Sequence, residues 1–206
     1  MAEQKTYQLP QFKLFDRYDV SQIEFRDSGL QRVINLEPKL IAKSYGRREG
    51  KFGQAEVNVI ERLVNKIATA GHRGKKHKIE KGESTGKDTK NLNIVLEAFQ
   101  IIEKRTQENP IQVLVRAIEN SSPRDEVTVV EYGGAKYPQA VDVSPLRRIN
   151  LSLRHIAQGS SDKAFNQKKT FSQGLAEEVI MASEENGNSF SIKKKTEAEK
   201  QADSAR

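Results

Sequence analysis

The sequence contains no cysteine among its 206 residues. This absence excludes disulfide bonds, thiolate catalysis and every zinc site that needs a cysteine ligand. Long apolar runs are also missing, since nowhere do eighteen apolar residues follow one another. The first residues, MAEQKTYQLPQF, lack the apolar segment of a signal peptide. We therefore expect a soluble, cytoplasmic protein with no membrane partner.

Hydrophobic residues make up only 35% of the chain, and the mean hydropathy is -0.72. Both values are low for a free-standing enzyme. Lysine and arginine together number 35 against 28 acidic residues, which gives a net charge of +7. A basic excess of this kind suits a polyanionic partner. The composition indicates one compact core with long solvated or partner-bound parts.

The segment GESTGKDT, residues 82–89, has some likeness to a phosphate-binding loop. That loop needs four residues between its glycines and a hydroxyl residue directly after its lysine. Here three residues separate the glycines, and aspartate follows the lysine. We interpret the segment as a flexible linker and predict no nucleotide site.

Three histidines are the remaining candidates for metal binding or acid-base chemistry. His72 and His77 share the loop GHRGKKHK, whose basic residues would repel a cation. His155 has no serine or aspartate partner that its spacing identifies, so a partly buried or RNA-facing histidine is expected. The sequence therefore predicts no metal site, no cofactor and no catalytic residue.

Apolar residues at spacings of three and four predict five core helices. They begin after Gly53, near Asp88 or Thr89, at Asn109-Pro110, at Ser144 and near Phe171. Glycine marks three expected ends, at Gly71, Gly159 and Asn186-Gly187.

Between the third and fourth core helices, residues 126–143 alternate valines with polar residues around Gly133-Gly134. Paired glycines supply the positive φ values of a tight turn, so these residues predict a two-stranded hairpin. Such a ribbon is only marginally stable alone and needs support.

The predicted fold is mainly α: a helical bundle core with a protruding β-hairpin between the third and fourth core helices. We assign residues 1–43 to an N-terminal extension, 44–191 to the helical domain and 192–206 to a basic C-terminal tail. The extension should pack along the domain with one or two short helices near Leu30 and Lys39. Residues 1–10, 72–90 and 193–206 lack the apolar residues that would repay ordering entropy, so we expect them to be mobile without a partner. The last fifteen residues should be a tail or a partner-dependent helix.

Basic charge is concentrated in three segments. Residues 43–53 carry four basic residues against one acidic, residues 71–90 seven against three, and residues 145–154 three against none. Phosphate contacts require such clusters, although a solvated loop is the alternative for any single one. The candidate RNA-contacting residues are Lys43, Arg47, Arg48, Lys51, Arg73, Lys75, Lys76, Lys78, Arg147, Arg148 and Arg154.

Two arginines stand at an unfavourable position. Arg147 and Arg148 lie in the first turn of the fourth core helix, where the helix dipole opposes them by about 0.3 to 1 kcal/mol each. A polyanion would remove this conflict, so we expect them to face phosphates. Near the first basic cluster, Tyr45 and Phe52 could stack on bases or anchor the loop, and anchoring is the favoured role for Phe52.

Several long segments resemble one known family. NPIQVLVRAIENSSPRDEV, YGGAKYPQAVDVSPLRRINLSLRHI and LAEEVIMASEENGNSFSIKKK occur in this order, preceded by GQAEVNVIERLVNKI and a basic loop. They resemble the family of the seventh protein of the small ribosomal subunit, in its archaeal and eukaryotic form. The resemblance covers about residues 45–206, and the first forty residues look like the extension that the bacterial form lacks.

The resemblance implies a structural RNA-binding component of the small subunit and no enzyme. Family members bind the 3′ major domain of the rRNA, initiate assembly of the head, and lie beside the mRNA exit path, the exit-site tRNA and proteins of the head and platform. It further implies that the basic residues named above contact rRNA, and that the hairpin residues Gly133, Gly134, Lys136 and Tyr137 reach toward the exit site. The tail residues Lys193, Lys194 and Lys195 would lie nearby.

The alternative is a helical DNA-binding regulator. That function needs a turn that joins two helices and presents the second to the major groove. No such pair is evident here, because a hairpin separates the third helix from the fourth.

Overall fold

The computed structural model describes residues 13–40, 43–44, 50, 52–74, 77–78 and 86–206. Within them the fold is mainly helical and has one β-hairpin between the third and fourth core helices, as predicted. The elements in chain order are α1 (Ser28–Gln31), a 3-10 turn (Gly53–Glu56), α2 (Val59–Ile67), α3 (Asp88–Thr106), α4 (Pro110–Ser121), β1 (Asp125–Tyr132), β2 (Ala135–Asp142), α5 (Pro145–Ala164), α6 (Phe171–Ser183) and α7 (Phe190–Ser204).

Local capping sets where several helices begin. The Asn109 side chain accepts a hydrogen bond from the Ile111 amide at 3.0 Å, and Pro110 occupies the first turn of α4. Thr170 and Gln173 form a reciprocal capping box at the start of α6. Both arrangements satisfy amides that have no partner within the helix. Both helix starts depend on residues close together in the sequence. The sequence analysis identified the start of α4 at Asn109-Pro110 for this reason.

Helix α4 lies at the centre of the core. Its apolar residues are almost fully buried around the helix, and α6 packs across α3, α4 and α5. The buried side chains of these helices form one continuous hydrophobic cluster. One cluster of this kind indicates a single folding unit for the described helices.

Helix α5 does not end at Gly159, where the sequence predicted its end. A Cβ atom at Gly159 would lie 2.8 Å from Cδ of Glu178 and 2.8 Å from Cβ of Phe190. Glycine is therefore needed for the close approach of α6 and α7, and the helix continues to Ala164.

The described part of the N-terminal extension packs along the helices. Leu14 and Tyr18 are buried, and the Tyr18 ring meets the Phe99 ring edge-on at 5.9 Å between centroids. A short helix, α1, contains Leu30. The described residues 34–40 contain no helix near Lys39, because the Lys39 carbonyl instead accepts a hydrogen bond from the Phe15 amide at 3.0 Å.

The C-terminal residues form helix α7, the second of the two expected states, although it packs against the chain itself and not against a partner. Helix α7 packs against α5 and against the base of the hairpin, with Ala202 fully buried. Glu199 accepts a hydrogen bond from the Arg124 amide at 3.1 Å. A polar sequence can be helical here because the rest of the fold supplies the apolar surface.

The hairpin pairs Asp125 with Asp142 at its base and Tyr132 with Ala135 at its tip. Gly133 and Gly134 form the turn with φ values of 58° and 80°. Such values favour glycine. Helix α7 supports the base of the ribbon, while the outer half projects from the domain with both faces exposed.

Candidate nucleic-acid interface

One side of α5 carries exposed basic residues in a line. Arg147 and Arg154 are seven residues apart, which places them on the same side of the helix, about 10 Å from each other along its axis. Arg154 lines a groove toward the start of the helix and a cleft toward its end, and Lys66 from α2 lines both. We call Lys66, Arg147 and Arg154 the α5 basic face.

The cleft has a volume of about 610 Å³ and lies between the end of α2 and helices α5 and α7. Arg73 and Lys194 line it together with Lys66 and Arg154. Within the described residues no carboxylate lines the cleft. A concave surface with this charge attracts anions such as phosphate.

Arg147 makes a two-pronged ion pair with the base of the hairpin. Its Nε lies 2.6 Å from Oε1 of Glu126, and its Nη2 lies 2.8 Å from Oε2. The arginine side chain is still 56% exposed. Arg147 therefore braces the hairpin and remains accessible to a ligand.

Arg148 has a different environment, and our interpretation of it changes. Its side chain is only 12% exposed, and its Nη2 lies 2.8 Å from Oδ2 of Asp27. The carboxylate that offsets the helix dipole thus comes from the N-terminal extension, so no external polyanion is needed. Burial raises the pKa of Asp27, but the Arg148 hydrogen bond and charge and two backbone amides outweigh it and lower that pKa.

The loop after α2 is docked where the structure describes it. Arg73 donates to Oδ2 of Asp162 and to the Gln158 carbonyl, and Lys78 lies 2.9 Å from Oδ1 of Asp162. Two residues of the 72–90 segment therefore have partners within the protein itself. Their positive charges are partly offset within the protein.

Other candidates of the basic segments divide into two groups. Lys43 forms an ion pair with Asp88, whose carboxylate lies 2.8 Å from its Nζ. Five further candidates lie outside the described residues: Arg47, Arg48, Lys51, Lys75 and Lys76.

His155 sits under the cleft and is mostly buried. Its ring meets the Phe190 ring edge-on at 6.4 Å, and its Nδ1 has no hydrogen bond among the described residues. Burial, with the charges of Arg154 and Lys194, lowers the pKa of His155 to about 4. The imidazole is therefore neutral at physiological pH, and a pKa this low makes it a weak general base.

The tip of the hairpin presents aromatic side chains instead of strong charge. Tyr132 is 81% exposed and Tyr137 is 57% exposed. Lys136 lies directly opposite Glu131 beside the Gly133-Gly134 turn. The tip can therefore contact a partner through shape and stacking more than through charge.

The three lysines at the start of α7 have separate roles. Lys193 is exposed. Lys194 lies 2.6 Å from Oε2 of Glu197, and Lys195 donates to the Asn120 carbonyl at 2.9 Å. Lys194 faces the cleft, whereas Lys195 fastens α7 to the end of α4.

The sequence analysis missed Lys66 and misjudged Phe52. Lys66 belongs to the last turn of α2 and was treated as part of an ordinary amphipathic helix. Phe52 is 68% exposed, so it does not anchor its loop in the core as expected. The signal for Lys66 would have been its place opposite the apolar stripe of α2.

Among the described residues, no group of three or more histidine, aspartate or glutamate side chains is arranged to hold a metal ion. The helices described here include none long and apolar enough to cross a membrane.

Sequence comparisons agree with this arrangement. The model of the family described as "Ribosomal protein S7p/S5e" matches residues 30–206. Three similar proteins, each named small ribosomal subunit protein uS7, come from Nanoarchaeum equitans, Methanococcus aeolicus and Archaeoglobus fulgidus. In that order, they are 46%, 43% and 43% identical to this chain. The matches cover 94%, 95% and 94% of this chain. They cover 98%, 100% and 94% of the relatives' own lengths. The chain therefore belongs to the ribosomal protein S7p/S5e family and is a structural, non-enzymatic constituent of the small ribosomal subunit in the cytoplasm.

Proposed function

We propose that this chain binds the 3′ major domain of the small-subunit rRNA and initiates assembly of the subunit head. The observation that carries this proposal is the α5 basic face. Its three cations run along one rigid helix and its neighbour α2, and they continue into a cleft lined by Arg73 and Lys194. Cations held on helices are suited to fixing the register of a folded RNA through its phosphates.

The accessible residues rank first among the proposed rRNA contacts. Arg154 and Lys193 are exposed, and Arg147 is exposed while bound to Glu126. Arg73, Lys78 and Lys43 contribute positive potential, but carboxylates of the protein partly neutralise their charges. The five candidates outside the described residues remain proposed contacts, and Arg148 is assigned to the fold.

The hairpin supports the second part of the proposal, a position beside the mRNA exit path and the exit-site tRNA. Its outer half, with Tyr132 and Tyr137, projects beyond the domain and has no core of its own. A ribbon exposed on both faces is suited to insertion between other molecules. Proteins of the head and platform are the expected neighbours, and α7 lies at the base of the ribbon.

A binding competition tests the proposal. We expect the purified protein to bind a folded 3′ major domain fragment more tightly than duplex DNA of equal length at physiological salt. Arg154→Gln should reduce the salt dependence of log K by about 0.7 to 0.9 for the lost phosphate contact. Glu185→Gln, a change of one exposed charge outside the cleft, is the control. Equal affinity for both nucleic acids would refute rRNA-specific binding.

Assembly provides an independent test. Reconstitution of the head from purified rRNA and proteins should stall when this chain is omitted and resume when it is added. Incorporation of the other head proteins at normal rates without it would refute the role in initiation.

A further inference from the structure

The groove beside the start of α5 differs from the cleft because much of its lining is apolar. Phe52 and Ala55, at the 3-10 turn, form one wall, and Pro145, Leu146 and Leu151 of α5 form the other. Its volume is about 520 Å³, within the range of sites that hold small organic groups. We call it the Phe52 groove.

The two walls are held together by side-chain amides. Gln54 Nε2 donates to Asn150 Oδ1 at 3.2 Å, and Asn150 Nδ2 donates back to Gln54 Oε1 at 3.1 Å. Arg62 Nη2 approaches the same Asn150 oxygen at 3.4 Å. The groove is therefore built before any ligand arrives, which reduces the ordering cost of binding.

Phe52 presents an exposed aromatic ring at the rim of the groove. Its side chain is 68% exposed, although an aromatic side chain gains most from burial. It stands at the rim of an apolar surface instead of filling it. A flat occupant that stacks on the Phe52 ring would cover the exposed ring and the apolar surface beside it.

The charge of the rim identifies the class of occupant. Lys66, Arg147 and Arg154 all line the groove, and its described lining includes no acidic side chain. An occupant that combines a flat, largely apolar group with negative charge on both sides of it is an unstacked nucleotide in an RNA chain. Aromatic side chains receive such bases in many RNA-binding proteins.

We propose that the Phe52 groove takes one unstacked base of the rRNA, stacked on Phe52, with its flanking phosphates on Arg147 and Arg154. This inference rests on the proposed rRNA binding and adds a base-recognition site to it. The backbone contacts position the RNA, while the groove selects a nucleotide that is free of its own helix. The paired amides of Gln54 and Asn150 line the groove and offer hydrogen-bonding groups to the edge of the base.

The affinity test uses three variants and the folded 3′ major domain fragment. Phe52→Ala should weaken binding roughly 5- to 100-fold, the range for loss of one stacked base. Its salt slope should not change, because an apolar contact releases no counterions. Phe52→Trp should restore affinity, and Arg154→Gln should flatten the slope. Each variant should keep the thermal midpoint of the wild-type protein, since both side chains are exposed.

A fluorescence test locates the base directly. The chain contains no tryptophan, so Phe52→Trp introduces a single reporter at the groove. Oligoadenylate should quench its emission, because a stacked base quenches indole fluorescence, whereas inorganic polyphosphate should not. The control is Phe171→Trp at the start of α6, a residue that lines neither the groove nor the cleft, where oligoadenylate should leave the emission unchanged.

The possible outcomes distinguish the proposed base site from the proposed rRNA binding on which it rests. Unchanged rRNA affinity in Phe52→Ala, with a flatter slope in Arg154→Gln, would overturn the base site and leave rRNA binding intact. Wild-type protein that does not prefer the rRNA fragment would refute the proposed function itself. If Phe52→Ala binds RNA normally but enters subunits poorly, the groove holds a neighbouring protein and the base site is wrong.

Discussion

Arg148, in the first turn of α5, is held by Asp27 of the N-terminal extension at 2.8 Å between Nη2 and Oδ2. The two residues come from distant parts of the sequence, and both side chains are largely shielded from solvent. The ion pair therefore joins the extension to the helix that carries the basic face.

Replacing Arg148 should destabilise the protein more than replacing its neighbour. Arg148→Gln removes a hydrogen-bonded charge and leaves Asp27 largely buried, so we expect a loss of about 1 to 3 kcal/mol in unfolding free energy. Arg147→Gln is the matched control, because an exposed pair contributes about 0 to 1 kcal/mol and the helix dipole opposes the charge. Urea denaturation of both variants measures the difference. Equal losses would show that burial of the Asp27 pair contributes little.

The Asp27–Arg148 ion pair also predicts how the stability of the protein changes at acid pH. The folded-state pKa of Asp27 is lowered from its ordinary value of 3.8, so its stabilisation is present above that pH. This stabilisation is lost as the pH falls through the lowered pKa that Asp27 has in the folded protein. Arg148→Gln should therefore flatten the loss of stability below about pH 4. A variant whose stability falls as steeply as that of the wild type would contradict the assignment.

Glu178 should be the residue that holds α7 in place. Its buried Oε1 accepts hydrogen bonds from the Ser189 hydroxyl at 2.7 Å and from the Ser191 amide and hydroxyl, while Oε2 lies 2.7 Å from Lys163 Nζ. Glu178→Ala leaves these groups buried without a partner, so we expect a loss of about 3 to 5 kcal/mol. Hydrogen exchange should show α7 unprotected.

The neighbouring Glu177 offers the control for this change. It pairs with Lys169 at 3.0 Å, and that lysine is 45% exposed. Glu177→Ala should cost less than about 1 kcal/mol and leave α7 protected. Loss of protection in both variants would show that α7 detaches for a reason other than the Glu178 contacts.

Gly159 should tolerate no side chain. Gly159→Ala places a Cβ atom 2.8 Å from Glu178 and Phe190, so overpacking should destabilise the protein by about 1 to 3 kcal/mol. Gly187→Ala is the control, since no heavy atom lies within 4 Å of a Cβ there. Thermal melts of both variants compare the two sites. A neutral Gly159→Ala would mean that α6 and α7 can separate without cost.

His155 should make stability depend on pH between about 6.5 and 4. Its pKa is lowered to about 4 in the folded protein, so the unfolded chain takes up the proton first as the pH falls. Stability is full above pH 6.5 and should drop by about 1.4 kcal/mol per pH unit below it. Arg154, Lys194 and Glu197 are the charged groups that act on the ring. His155→Gln should remove this slope, and an unchanged slope would assign it to other groups.

Signals between neighbouring residues were sufficient for most of the architecture. The apolar stripes of α2, α3 and α4, the Asn109-Pro110 start of α4 and the Gly133-Gly134 turn all depend on contacts a few residues apart. The positions of Arg147 and Arg154 on one side of α5 also follow from helix periodicity alone. The family itself could be recognised from the order of its segments.

The tertiary structure decided what each charge does. Sequence spacing could not show that Asp27 neutralises Arg148, that Asp162 draws Arg73 and Lys78 onto α5, or that Glu178 fixes α7. Each partner lies in a different element and is brought close only when the helices pack. Phe52 is exposed for the same reason, because the position of the 3-10 turn against α5 determines whether an aromatic ring is buried or left at the rim. The sequence determined the core helices α2 to α6 and the number of cations, and packing determined helix α7 and which of those cations remain available to a ligand.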